Sequence, residues 1–382
     1  EAGAQWIHGT GGNPLVKLLE KTKPKPEKDD EADDAPSSAE LSPPPLRSPG
    51  RRRRVVAFGS TGVGIDEALF EAAWRWTSSQ IEACEDGDDS LEKSVGERVR
   101  RLAKVEASKY DDPKAFEACC EHRLNWERGI SAGDPEELDL KTWGDYLERP
   151  GRHLRPSGGY DALVGTMGVV GDLRTDTAVR EIRVDQETNK VVVLTSSSDD
   201  HVAAVASSDY AVVAVSLGAL KRGDIRFEPR LPEVVTKAVD GLGFGVVNKL
   251  AISFAEPWWL DCGLSGSWDC VWEEHREQQG DDDFDFDVND VVSGRQGQSG
   301  ATRFPAWLRR IAQFRHDPAI RGAPTVVAWV CEGETFEKAS DDDVLKVAVE
   351  TLARLSGVDV AVVQNAQPTL EMRTAWLRDV AG

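Results

Sequence analysis

The chain is expected to be an α/β protein of mixed, α+β character, and three observations carry that expectation. Residues 65 to 130 keep helical periodicity, in segments such as IDEALFEAAWRW and SVGERVRRLAKV. Residues 176 to 220 read as strands: TAVREIRV, KVVVLTSS, HVAAVASS and YAVVAVSLGAL alternate or run apolar between turns. A length of 382 residues is enough for two domains or one large α/β unit.

Taken from the N-terminus, residues 1 to 15 (EAGAQWIHGTGGNPL) read as a short buried strand, a Gly-rich turn and a helix opened at Asn13-Pro14. Glycines let a backbone pass close to a flat ligand, and His8 beside them offers proton transfer near neutral pH. Residues 21 to 54 hold prolines, serines and segregated charge, which bury too little apolar surface to fold, so a disordered insertion is expected. Within it Arg51 to Arg54 read as a solvated charge run, with a nuclear localisation patch as the alternative. VVAFGSTGVGIDEALFEAAW outlines a strand, a Gly-rich loop and a helix, as a phosphate-binding turn does. Its spacing, Gly59-x-x-Gly62-x-Gly64, matches neither the dinucleotide fingerprint nor a P-loop with its lysine. No second parallel strand is expected to close a βαβ unit there, so the loop reads as structural.

Turn chemistry at Pro150-Gly151 and Pro156-Ser157-Gly158-Gly159 leads into a helix over Tyr160 to Met167. After the strand-like stretch, LGFGVVNKLAISFAEPWW sets Lys249 on a strand directly behind a Gly-Phe-Gly turn, among Val247, Leu250, Ile252 and Phe254. A lysine in such company is costly to keep charged unless paired. Such a group can position a water or relay a proton; the alternative is a lysine snorkelling from an edge strand. An acidic, Gln/Gly-rich insertion near 275–300 precedes a short amphipathic helix (Ala306 to Phe314) and a buried strand, PTVVAWV. The best-signalled helix starts at Ser340 as cap, sets Asp341 to Asp343 against its N-terminal dipole and stops at Gly357.

The formal net charge of −21 argues against nucleic acid as a partner, because phosphate binding needs a basic surface. An acidic surface also raises the local concentration of small cations, although much of this charge sits in tracts such as Asp281 to Asp283. No stretch approaches the roughly 18 to 20 apolar residues of a membrane span, so no membrane is expected as a partner. Six cysteines show no metal-type spacing with the six histidines, and adjacent Cys119-Cys120 reads as helical packing. No metal is expected, and a reducing, intracellular compartment, cytoplasmic or peroxisomal, suits this usage. No feature sets an oligomeric state.

Several motifs in one order carry a family likeness. EAGAQWIHGTGGNP is followed by PSGGYDAL, then by DYAVVAVSLGALKRGDIRFEPRLP, with Ser216 where a proline is usual. LGFGVVNKLAISFAEPWW comes next, and AWVCEGETFEKASDDDVLKVAVETLARLSG closes the series. Together they resemble the FAD-dependent polyamine oxidases, the group containing spermine oxidase and acetylpolyamine oxidase. The resemblance implies FAD as cofactor, a small cationic amine (spermine, acetylpolyamine or spermidine) as substrate and molecular oxygen as acceptor. It implies hydride transfer to flavin N5, imine hydrolysis and release of hydrogen peroxide. Lys249 matches the lysine that holds a water against N5, and His8 matches a histidine placed to hydrogen-bond the amine or keep it neutral. Ala4, Gln5 and Trp6 match the segment beside the isoalloxazine ring, Val179 the valine whose backbone meets the adenine end, and Trp376 the tryptophan opening the last flavin-contacting stretch. Glu127, in LNWERG, could meet a substrate ammonium, but a solvated helix face is the better reading.

The implied fold is an FAD-binding α/β domain interleaved with a substrate domain of mixed sheet and helices. Residues 1–20, 150–222 and 358–382 are expected in the first, 55–149 and 223–357 in the second. The family opens with a strand, G-x-G-x-x-G and an acidic ribose ligand, and closes past its tryptophan with further flavin contacts. Starting at Glu1 and running only from Trp376 to Gly382 after the tryptophan, the chain is expected to be an amine oxidase truncated at both ends. The alternative is a flavin-free, inactive relative acting as a binding or scaffold module.

Overall fold

The computed structural model describes residues 6–20, 53–84, 92–145, 149–156, 159–168, 171, 173–196, 202–272, 304–318, 320 and 322–376. The stretches expected to be insertions therefore lie almost wholly outside the described residues, as do Ala4 and Gln5. A short helix, α1 (Pro14–Glu20), and a strand, β1 (Arg53–Phe58), come first. The helical periodicity of 65 to 130 resolves into three capped helices. α2 (Glu67–Glu82) is capped by Asp66, α3 (Val95–Ala107) by Ser94, and α4 (Pro113–Ser131) by Asp112, each cap oxygen accepting a backbone N–H of the first turn. α5 (Gly159–Met167) lies where a helix was expected; Ser157 and Gly158 of the turn before it lie outside the described residues.

Strands β2 (Ala178–Val184), β3 (Val191–Ser196) and β4 (Val202–Ser208) form an antiparallel meander. After helix α6 (Leu217–Arg222), short β5 (Arg226–Glu228) adds in parallel to β2, giving the order β4-β3-β2-β5. α7 (Glu233–Gly241) then leads to a second, mixed sheet. Its strands are β6 (Asn248–Ser253), β7 (Leu264–Val271), β8 (Gln313–His316), β9 (Thr325–Val330) and β10 (Thr369–Arg373), with β1, in the order β1-β7-β8-β9-β6-β10. The single-turn α8 (Ala306–Arg309) precedes β8, and α9 (Glu334–Lys338), α10 (Asp341–Ser356) and α11 (Val360–Asn365) lie between β9 and β10. Ser340 caps α10 and Gly357, at φ 69°, ends it, as read from the sequence.

The principal core joins one face of the six-stranded sheet to α10. Leu250, Ile252, Trp268, Phe314, Val326 and Val330 pack there against Val344, Ala348 and Leu352. A second cluster packs α2 and α4 through Phe70, Trp74, Phe116, Cys119 and Cys120 under Val271 of β7, so the adjacent cysteines are helix packing.

Four expectations need correction. Arg54 is not part of a solvated run: it lies on β1, its side chain 8% exposed, paired with the fully buried Asp269. β1 does have a parallel neighbour, β7, and the connection between them, which holds α2 to α7 and strands β2 to β6, is far longer than a parallel pair needs. The Gly-rich loop after β1 nonetheless serves packing: a Cβ at Gly59 would sit 2.5 Å from the Trp272 ring, and one at Gly62 2.3 Å from the Arg354 carbonyl. The helix expected over Ala306 to Phe314 stops at Arg309, and Phe314 sits on β8, buried opposite Ala328. Finally, residues 211–216 form no strand, and Val212 is 92% exposed; an apolar run becomes a strand only where a neighbour receives its hydrogen bonds.

Candidate functional site

The opening motif is held as one side of a short antiparallel crossing. Ile7 and Leu154 exchange both backbone hydrogen bonds, Ile7 donating at 2.7 Å and Leu154 at 2.9 Å. The Gly11 N–H donates to the Pro150 carbonyl at 2.7 Å. The approach requires glycine: at Gly9, φ 63°, a Cβ would lie 2.3 Å from the Arg149 carbonyl. The buried Asn13 amide donates to the His8 and Gly9 carbonyls at 3.2 and 3.1 Å, fixing the turn. His8 is thereby set directly across from His153, with ring centroids 4.8 Å apart and Nδ1 atoms separated by 3.2 Å.

Trp6, half-buried, precedes this pair. The Arg155 guanidinium lies over its indole at 5.2 Å and forms a bidentate ion pair with Asp317, both contacts at 2.7 Å. The Asp317 hydrogen bonds raise the Arg155 pKa beyond its usual value, so the charge is permanent. The Asp317 N–H donates to the Thr325 carbonyl, and the Tyr160 hydroxyl donates to the Trp6 carbonyl, both at 2.9 Å. Trp6 is thus tied to the start of β9.

Lys249 lies on β6 opposite Trp329 of β9, as its strand-like surroundings indicated. Its N–H donates to the Thr374 hydroxyl at 2.8 Å and its carbonyl accepts the Thr374 N–H at 3.1 Å. Asn248 beside it is wholly buried and uses its entire amide. Nδ2 donates to the Glu332 carbonyl at 3.3 Å and Glu337 Oε1 at 2.9 Å. Oδ1 accepts from the Thr374 hydroxyl at 2.9 Å and the Trp376 N–H at 3.1 Å. One network therefore locks the backbone at Lys249 and at Trp376. Thr325 pairs with Ser253, so Lys249 stands four residues along from the end where Asp317 and Trp6 dock, about 13 Å at strand rise. Val179 sits half-buried on β2 opposite Thr195.

Glu127 is neither solvated nor open to an amine: it is 5% exposed and paired with Arg123 at 2.6 Å, one turn earlier on α4. His153, Asn248 and Arg155 had no signal as site residues by spacing; only the strand crossing and the β6–β10 pairing give them partners. Elsewhere, burial pushes the Cys120 thiol up to about 12 and Cys331 to about 11, which removes them as nucleophiles. Among the described residues no cluster of His, Cys, Asp and Glu could hold a metal, and no helix is long and apolar enough to cross a membrane. Two small cavities, about 200 and 160 Å³, are lined by Asp342, Lys346 and Gln364 and by Arg128, Asp134 and Cys331; the second also reaches Val246 and Glu332 beside the Asn248 network, and neither is lined by Trp6, His8 or Lys249. The structure sets Trp6 and His8 toward one end of the β6–β9 pair and Lys249 and Trp376 toward the other; by their chemistry, two indoles, an imidazole and an ammonium fit the face and edge of a flat ring such as a flavin.

The family described as flavin containing amine oxidoreductase matches residues 1–381, and the chain belongs to it. Its cofactor is accordingly a flavin, in keeping with the FAD that the motifs imply. The chain is similar to the peroxisomal N(1)-acetyl-spermine/spermidine oxidase of Bos taurus, 25% identical over 405 residues, which cover 98% of this chain and 71% of that protein. Polyamine oxidase 3 of Oryza sativa subsp. japonica is 37% identical over 138 residues, 36% of this chain and 27% of its own length. A solved structure of wild-type putrescine oxidase bound to putrescine shares the fold, with a TM-score of 0.53 at 14% identity over 98% of this chain and 73% of that one.

Proposed function

We propose that the chain carries the substrate-facing side of an FAD-dependent polyamine oxidase acting on a small cationic amine of the spermine, acetylpolyamine or spermidine class. The observation that carries this reading is the family match along residues 1–381, with Lys249 and Trp376 fixed through Asn248. The names of the bovine and rice relatives support polyamines as the amine class, and the bovine name is compatible with a peroxisomal location. A bound flavin supplies the two-electron oxidation of the carbon beside the amine nitrogen, with molecular oxygen reduced to hydrogen peroxide.

The chain's own residues do the rest. His8 accepts the proton that an ammonium substrate must shed before its carbon can give up a hydride. Trp6, held flat by Arg155, offers an apolar wall that orients ring and amine and excludes water. Lys249 holds a water by hydrogen bond, on a backbone fixed from both sides by Thr374 and Trp329. Ala4, Gln5, Val179 and Trp376 contact the cofactor, and the charge of −21 concentrates cationic substrates nearby.

Reconstituted with FAD, the purified chain is expected to keep oxidised-flavin absorbance and to release hydrogen peroxide with spermine, N1-acetylspermine or spermidine. Lys249→Met should lower turnover by about 100-fold while leaving that absorbance in place. A colourless protein that releases no peroxide with any of the three amines overturns the reading in favour of a flavin-free scaffold.

A further inference from the structure

We propose that His153 is a positioning residue that fixes the proton of His8 on Nδ1 and so makes His8 Nε2 the atom that accepts the substrate's proton. The placement follows from the strand crossing. Ile7 and Leu154 form a hydrogen-bonded pair, so the next positions, 8 and 153, face each other as a pair without backbone bonds, where side chains lie closest.

The direction of the contact is set by a third group. The Gly9 backbone N–H donates to His153 Nδ1 at 3.3 Å, so that nitrogen presents its lone pair and carries no proton. His8 Nδ1 lies 3.2 Å from the same nitrogen. Two lone pairs at that distance repel; a proton on His8 Nδ1 turns the contact into a hydrogen bond. His8 is therefore the Nδ1–H tautomer and His153 the Nε2–H tautomer. When His8 Nε2 takes a proton, the resulting imidazolium donates from Nδ1 to a neutral acceptor, a stronger, charge-assisted bond. A backbone amide thus orients one imidazole, which orients the second.

The tautomer assignment follows from the Gly9 N–H contact and the Nδ1–Nδ1 approach; the role given to Nε2 rests on the amine oxidase reading above. The test uses the full chain with 15N-labelled histidine, its ring nitrogens read by long-range 15N–1H correlation at alkaline pH. His8→Gln and His153→Asn each remove one set of signals and so assign the pair. The expected result is a protonated Nδ1 on His8 and a protonated Nε2 on His153. His153→Asn sets an amide oxygen near the place of Nδ1 and should keep His8 as Nδ1–H. His153→Ala removes the acceptor and should release His8 toward Nε2–H. In the peroxide assay His153→Ala should lower kcat about tenfold, the equivalent of one hydrogen bond, and His153→Asn should recover most of it. An unprotonated Nδ1 on wild-type His8, or a tautomer that His153→Ala leaves unchanged, overturns the proposal. If wild-type protein shows the expected tautomers but forms no peroxide with any amine, it is the oxidase reading that fails.

Discussion

The two sheets among the described residues are written in similarly apolar sequence and end in opposite surroundings. In the six-stranded sheet, Leu250, Ile252, Trp268, Phe314 and Val330 are all exposed by 1% or less. Around the four-stranded sheet, β2 keeps alternating half-buried and exposed positions, while Tyr210, Val212, Val234 and Leu242 are each more than half exposed. None of the three buried apolar clusters among the described residues draws a side chain from residues 159–246. β6 and β9 have strands on both sides and α10 packed on their apolar face; among the described residues no strand pairs with residues 211–216. Apolar sequence supplies the propensity for a strand, and a neighbour on each side turns it into burial.

The contrast is broken most forcefully at the ion pair under the larger sheet. Asp269→Asn should destabilise the chain by about 3–5 kcal/mol, since it leaves Arg54 buried without its counter-charge. The loss would show as a lowered urea midpoint followed by tryptophan fluorescence. Burial by itself raises the Asp269 carboxyl, but the Arg54 charge, with the His122 ring 3.5 Å away, outweighs it and holds the group at about 2 against an ordinary 3.8. A depressed carboxylate stabilises the fold fully above its unfolded value and loses that contribution as pH falls through the folded one. Wild-type stability should therefore drop between about pH 4 and pH 2 by an increment that Asp269→Asn lacks.

Paired truncations compare the regions directly. Trp259→Ala, at a fully buried ring, should cost about 3–5 kcal/mol, and Val212→Ala, at an exposed side chain, less than about 0.5. Equal costs would erase the distinction between the sheets. Hydrogen exchange sharpens it without mutation: amides of β6 and β9 should exchange only on global unfolding, and those of residues 211–216 in the native state. The smallest effect is expected at a helix end, where Ser340→Ala should cost about 1 kcal/mol by removing the oxygen that accepts the Asp343 N–H at 3.1 Å.

Much of the fold is legible in the sequence. The cap, the three aspartates and the closing glycine of α10 are local signals within one helix, and they place its ends to the residue. The strands of the meander, the PTVVAWV strand and the strand under Lys249 follow from period and β-branched content. Phe314 escapes such reading because a four-residue strand gives too short a window to separate a period of two from a helical one. Arg54 escapes it because an arginine run states its own charge and says nothing of a carboxylate 215 positions away. In the candidate site, motifs single out Lys249, His8 and Trp6, while His153 and Arg155 emerge only from the crossing of two distant loops.

Everything that acts within a few residues is settled along the chain: helix limits, strand periodicity, the glycines of the opening turn and the motifs that mark a flavin containing amine oxidoreductase. Which groups face each other is settled only by packing. It sets Arg54 on Asp269, Asn248 on Thr374 and Trp376, Arg155 between Trp6 and Asp317, and His8 on His153. The reason is one of range. Caps and periodicity depend on neighbours in sequence, whereas a hydrogen bond between distant residues exists only once packing has fixed both backbones and offset the entropy of bringing them together.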